Sequence, residues 1–272
     1  MPDKRRPPLV AYENRRFLNQ RAGRPVRILA EYIEPQSRFD HHRISDTIVF
    51  MGSARFKPRQ QAEAELEAAQ GDEAVGLAKM HLEMSRYYEA ASELAERLTL
   101  WSKELGDDEH RYVVCTGGGP GIMEAANRGA SAARGMNIGM SISIPSEQTF
   151  NQYITHEFAF HFHYFFMRKF WLAYLAKAVI FFPGGFGTLD EMFELLTLLK
   201  TRKITKHLPV VLFGGDYWNQ VIDFKALIRH CTIDEDDLDI FIMTDSVDEA
   251  FDYITAELQK VTPAEKGPTL GE

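Results

Sequence analysis

From Asp46 onward the chain alternates short apolar runs with longer stretches in which apolar residues recur every three or four positions. Thr47 to Met51 (TIVFM) predicts a strand buried on both faces, since the run has no polar alternation. Residues 60–105 predict helix, with Gly71 and Gly76 as breaks and Leu94, Leu98, Trp101 and Leu105 as an apolar stripe. Tyr112 to Cys115 predicts the next strand, Gly121 to Arg134 a helix, and Asn137 to Ile144 another strand. Phe158 to Phe162 predicts a further strand, followed by an aromatic helix through Phe165, Phe170, Trp171 and Tyr174. Strands at Ala178 to Phe182, Val210 to Phe213 and Ile240 to Met243 then alternate with helices at Leu189 to Lys200, Tyr217 to His230 and Val247 to Val261. Strands alternating with helices imply an α/β fold with a parallel sheet covered on both faces.

Charge and proline content set residues 1–43 apart as a basic N-terminal extension, with Arg5, Arg6, Arg15, Arg16, Arg21, Arg24 and Arg27 among few acids. It reads as a partly helical arm over an acidic body. Residues 44–262 form the main domain, and 263–272 read as a disordered tail. A net charge of -8 argues against a nucleic-acid polymer as partner, because such binding requires an excess of Lys and Arg over phosphate-repelling acids. The 2 cysteines, Cys115 and Cys231, have neither disulfide nor metal-ligand spacing and fit a reducing, cytoplasmic setting. No apolar run is long enough for a membrane helix, and the basic start lacks the apolar stretch of a secretory signal.

The glycines carry the chemistry. Gly52-Ser53-Ala54-Arg55 follows the first strand, Gly117-Gly118-Gly119-Pro120-Gly121 the second, and Pro183-Gly184-Gly185-Phe186-Gly187-Thr188 the strand ending at Phe182. In a parallel sheet these loops share the carboxyl edge, where open α/β folds bind ligands. Glycine lets backbone amides approach an anion, and the following helix points free N–H groups at it. Any one loop reads as a tight turn; three in one crevice read as a phosphate cradle. Dinucleotide and P-loop patterns fail: the glycine spacing of the first is absent, and no Gly-Lys-Ser/Thr triplet closes a loop.

The segment PGGFGTLDE, Pro183 to Glu191, resembles the PGGxGTxxE signature of the LOG (Lonely Guy) family of nucleoside-monophosphate phosphoribohydrolases. Arg168-Lys169, fifteen residues before Pro183, resembles the Arg-Lys pair of the preceding helix in that family. The Gly-Ser after the first strand and the triple-glycine loop correspond as well, so the likeness runs from about Asp46 to Val261. It implies a Rossmann-like open parallel sheet and a homodimer that splits a purine nucleoside 5′-monophosphate into base and ribose 5-phosphate. It implies catalytic roles for Arg168 and Glu191. Gly52, Ser53, Gly117, Gly118, Gly119, Gly121, Glu124, Lys169, Gly184, Gly185, Gly187 and Thr188 are the expected substrate contacts, with no cofactor and no metal. HFHYFFMRK before the pair, and the extra helical sequence after the first loop, resemble longer bacterial members and favour AMP, GMP or IMP over a cytokinin nucleotide. The family also carries the label lysine decarboxylase, a chemistry that needs a cofactor such as pyridoxal phosphate on an anchoring lysine, which the sequence does not locate.

Plainer readings compete. Thr188 to Glu191 has the spacing of a capping box, so Glu191 by pattern alone reaches back to the Thr188 amide. Arg168 alone reads as a snorkelling surface arginine. Glu124 and Asn127 touch ligand, cap a helix or face water. His156, His161 and His163 lie among aromatic residues and read as packing rather than metal ligands. The alternative function is a non-catalytic nucleotide or phosphorylated-cofactor carrier of the same fold; a dimeric scaffold using the arm ranks below it.

Overall fold

Short runs with no polar face, such as those beginning at Thr47 and Val210, can be satisfied only inside a sheet covered on both sides, and that is the arrangement found. A computed structural model describes residues 9–106, 110–143 and 150–260; the predicted tail and Ile144 lie outside the described residues. The strands are β1 (Thr47–Met51), β2 (Val113–Thr116), β3 (Asn137–Ile142), β4 (Ala159–Phe162), β5 (Ala176–Phe181), β6 (Val210–Phe213) and β7 (Phe241–Thr244). All pair in parallel, in the order β4-β3-β2-β1-β5-β6-β7. The chain therefore winds outward from β1 to β4, crosses back beside β1, and winds the other way through β5 to β7. The β1/β5 junction is the topological switch point, where neighbouring loops diverge and leave a crevice.

The helices are α1 (Arg15–Leu18), α2 (Arg24–His41), α3 (Arg59–Ala68), α4 (Asp72–Glu104), α5 (Ile122–Ala132), α6 (Phe165–Tyr174), α7 (Phe186–Lys200), α8 (Gly215–Val221), α9 (Phe224–Arg229) and α10 (Val247–Gln259). Alternation along β1 decides which layer each residue joins. Ile48 and Phe50 enter a core with Leu94, Leu98, Ala125 and Ile254 from α4, α5 and α10. Val49 enters the opposite core with Phe39, Trp171, Met192 and Leu195 from α2, α6 and α7. The basic arm is thus tied into one core: the Phe39 ring lies 5.0 Å from Phe160 and 5.5 Å from Trp171.

Gly71 separates α3 from α4, as its spacing predicts, but Gly76 lies within the continuous α4. The predicted helix at 217–230 is two, α8 and α9, with Asp223 capping the second through the Ala226 amide.

At the amino edge of the sheet Lys206 is buried and donates to the Ala173 and Tyr174 carbonyls, 2.8 Å each. Burial first, and the neighbouring Lys177 charge second, pull its pKa down to about 7 against the opposing effect of Asp46. A neutral amine still has enough N–H groups for both carbonyls. Between pH 7 and the ordinary lysine range the unfolded chain binds the proton that the folded chain has released, so this residue makes stability rise with pH in that window. A Lys206→Met variant should lose that increment, seen as a smaller rise in melting temperature between pH 7 and pH 9 than in the wild type.

Candidate functional site

The three glycine loops meet at the switch point, and backbone contacts lock them together. The Ser53 amide donates to the Pro183 carbonyl at 3.0 Å, and the Ile122 amide donates to the Ser53 carbonyl at 3.0 Å. Only glycine permits this closeness at two places. A Cβ on Gly121, whose φ is +71°, would lie 2.2 Å from the Ser53 carbonyl oxygen; a Cβ on Gly184 would lie 2.2 Å from Thr188 Oγ1 and 3.0 Å from the Ser53 nitrogen. Gly52 abuts Ile122, while Gly117 abuts Met123. Gly185 and Gly187 have open space where a side chain would stand. The loops are built against one another at Gly52, Gly121 and Gly184, and face outward at Gly185 and Gly187.

The triple-glycine loop rests on a buried amide network that the sequence did not announce. Asn151 Nδ2 donates to the Gly119 carbonyl (3.1 Å) and to Asn127 Oδ1 (3.0 Å), and the Asn151 amide donates to the Gly118 carbonyl (3.0 Å). Asn127 also accepts from Thr116 Oγ1 (2.7 Å) and donates to Asn137 Oδ1 (2.9 Å), and the Gly118 amide donates to Thr116 Oγ1 (2.9 Å). Asn127 is fully buried, so it neither touches ligand nor faces water; it holds the loop from below.

Arg168 and Glu191 come together. Arg168 Nη2 donates to Glu191 Oε1 at 3.0 Å, with side chains 15% and 9% exposed. Helix α7 starts at Phe186 with Gly185 as its N-cap, so Glu191 is one and a half turns inside the helix and makes no capping box. Burial raises the Glu191 pKa above the ordinary carboxylate value, and Arg168 and Lys169 oppose that rise. Arg168 Nε is buried without a hydrogen-bond partner among the described residues, a donor left for something outside this set. Lys169 pairs with Asp190 (2.7 Å) and Glu194 (2.5 Å).

A cavity of about 200 Å³ opens beside this pair, lined by Met51, Phe166, Phe170, Phe181, Lys169 and Glu191. Glu124 lies elsewhere, in a cleft of about 420 Å³ between the first two loops and α3, with Tyr88, Arg55, Lys57 and His81. The Tyr88 hydroxyl donates to Glu124 Oε1 at 3.0 Å. Thr188 is buried under Gly184, and Tyr217, missed in the sequence, donates from its hydroxyl to the Gly184 carbonyl at 2.8 Å. His161 is exposed and meets the Phe150 ring at 5.8 Å.

Fold and loops define a Rossmann-like α/β protein whose three glycine loops converge at the switch point of its sheet. Residues 123–254, just under half of the chain, match the family model described as possible lysine decarboxylase. No curated protein matches the sequence. The molybdenum cofactor binding protein of Rippkaea orientalis shares the fold at 19% identity and a TM-score of 0.50, over 79% of this chain and 98% of that one. A structural-genomics target, TM1055, aligns at 21% identity and a TM-score of 0.48, over 78% and 99%. The Moco carrier protein of Chlamydomonas reinhardtii aligns at 19% identity and a TM-score of 0.46, over 80% and 99%.

Proposed function

We propose that the protein hydrolyses the N-glycosidic bond of a purine nucleoside 5′-monophosphate (AMP, with GMP and IMP as further substrates) to free base and ribose 5-phosphate. The observation that carries this reading is a buried carboxylate, Glu191, which stands on the helix that the third glycine loop opens and pairs with Arg168. Breaking the bond develops positive charge over C1′ and the ring oxygen of ribose. A carboxylate beside that carbon stabilises the charge, and orients or deprotonates the water whose oxygen bonds to C1′ while the base leaves with a proton. Arg168 holds phosphate or ribose hydroxyls and keeps Glu191 ionised. The hydroxyl of Ser53, the amides of Gly185 and Gly187, Thr188, and the Gly117–Gly121 loop take the phosphate at the start of α7 and α5. Lys169 adds positive charge, and Glu124 is the polar group of the adjoining cleft.

The decarboxylase label fits these residues poorly. Burial lowers the pKa of Lys169, beside Glu191, but its pairing with Asp190 and Glu194 outweighs this and leaves the pKa raised, the opposite of the deprotonated amine a Schiff base requires. The same reading includes a cytoplasmic homodimer. Phe186 is 92% exposed, and Phe165 and Phe166 are half exposed on α6, an apolar surface that a second copy would cover. Both cysteines are free thiols, which suits a reducing compartment.

Purified protein incubated with AMP, GMP, IMP and CMP should release adenine, guanine and hypoxanthine, measured by chromatography, with CMP spared. Folded protein that releases no base from any of them defeats the reading. A carrier of a phosphorylated cofactor is the second reading, favoured by the fold shared with a molybdenum cofactor binding protein. It would show ligand binding without turnover.

A further inference from the structure

The basic arm is the part of the chain that the proposed chemistry does not use, yet one of its acids reaches the helix that carries Arg168. On α2, Glu31 accepts two backbone hydrogen bonds at the start of α6: from the His163 amide to Oε1 (2.8 Å) and from the Tyr164 amide to Oε2 (3.1 Å). The Glu31 carbonyl accepts from Trp171 Nε1 at 3.0 Å, two turns further along α6. Arg27, one turn before Glu31 on α2, donates from Nε to the Tyr164 hydroxyl at 3.3 Å. Tyr164, the N-cap of α6, makes no side-chain cap of its own. Its carbonyl accepts the Arg168 amide at 3.2 Å and the Met167 amide at 3.1 Å. A single residue, Tyr164, therefore links the arm carboxylate through its amide to the backbone of Arg168 through its carbonyl.

We infer that Glu31 is a positioning residue: the arm supplies the missing cap of α6 and so fixes where the Arg168 guanidinium meets Glu191. The physical case is twofold. A carboxylate at a helix N-terminus satisfies otherwise orphaned amides and complements the helix dipole. The helix so fixed has only ten residues, so its first turn sets the azimuth of Arg168. Arg38, further along α2, donates to the carbonyls of Glu157 (2.9 Å) and Ala159 (3.3 Å), tying the same helix to the segment that leads into α6. The arm therefore holds the α6 approach at several points, and Glu31 is the one that accepts from the backbone amides of His163 and Tyr164.

This inference rests on the nucleotide-hydrolase reading for its kinetic consequence, but not for its structural one. The test is a carboxyl ¹³C titration of Glu191 in full-length protein, assigned with Glu191→Gln, alongside turnover of AMP. Arg168, Lys169 and Glu194 are the charges around that carboxylate. Arg168→Ala removes one of the two cations that oppose the upward shift, so the Glu191 titration should move further up. Glu31→Ala should move it in the same direction by less and reduce turnover roughly tenfold, with KM little changed, as expected for a misplaced group in the reacting geometry. Glu31→Gln keeps one acceptor and should fall between Glu31→Ala and the wild type, which covers the case in which the alanine variant does not fold. A Glu191 titration and turnover identical to wild type in a folded Glu31 variant overturn the inference. Absence of turnover in the wild type defeats the hydrolase reading alone, because the titration still reports on Glu31.

Discussion

Replacing Glu191 by Gln should abolish nearly all turnover while leaving nucleotide binding close to the wild-type level. Glutamine has the shape of glutamate and can still accept from Arg168, so the α6–α7 contact and the crevice stay in place. What it lacks is the negative charge that meets the developing ribosyl cation, and the basicity that handles water. General acid–base and electrostatic groups of this kind contribute on the order of 10²–10⁴-fold, and a fall in kcat of about a thousandfold is expected. The neighbouring Asp190→Asn is the control. Asp190 is exposed and does not itself line the cavity, although it pairs with Lys169, so its loss should change kcat by no more than about threefold. The pH profile supplies a second check on the same group. Burial raises the Glu191 pKa, so the ionised form is lost as pH falls through a value above the ordinary carboxylate range. The acidic limb of wild-type kcat should accordingly lie higher than for a solvent-exposed glutamate. Equal kcat in Glu191→Gln and wild type would remove Glu191 from the chemistry, whatever the identity of the substrate.

Much of the architecture could be read from periodicity. The run at Thr47 to Met51 and that at Val210 to Phe213 coincide with β1 and β6, because uninterrupted apolar runs of that length have few other fates. Most other ends differ by one to three residues, where local hydrogen bonds decide. Helix α7 begins at Phe186 rather than Leu189 because the glycine loop turns directly into it, and that shift removes the capping-box geometry from Thr188 and Glu191. Gly76 does not break α4, since an isolated glycine in a long helix costs only about 1 kcal/mol against the packing along its length. The pairing of Arg168 with Glu191 was foreseeable from a motif, but not from spacing: the two are 23 residues apart and meet only because β5 returns the chain beside α6. Asn151, Tyr217 and Glu31 left no signal, because each acts on backbone groups brought near by the fold, and a sequence does not display such distances.

The glycines of the cradle divide into those that build it and those that face its occupant, and substitution should separate the two. Gly121→Ala places a Cβ 2.2 Å from the Ser53 carbonyl oxygen at a φ of +71°, so both a backbone clash and a left-handed conformation must be accommodated. A loss of stability on the order of 3 kcal/mol is expected, visible as a lower denaturation midpoint, together with loss of ligand binding as the first and second loops part. Gly185→Ala differs in every respect. Its backbone is extended, at φ −88° and ψ −151°, and no heavy atom lies within 4 Å of the new methyl group. The variant should melt as the wild type does, within about 0.5 kcal/mol. Yet the methyl group occupies the opening in front of the α7 amides, where an anion would approach, so affinity for ribose 5-phosphate measured by calorimetry should drop at least about tenfold, or roughly 1.4 kcal/mol. Undiminished affinity in Gly185→Ala would move the anion away from this loop, and with it the sugar that Glu191 is proposed to face.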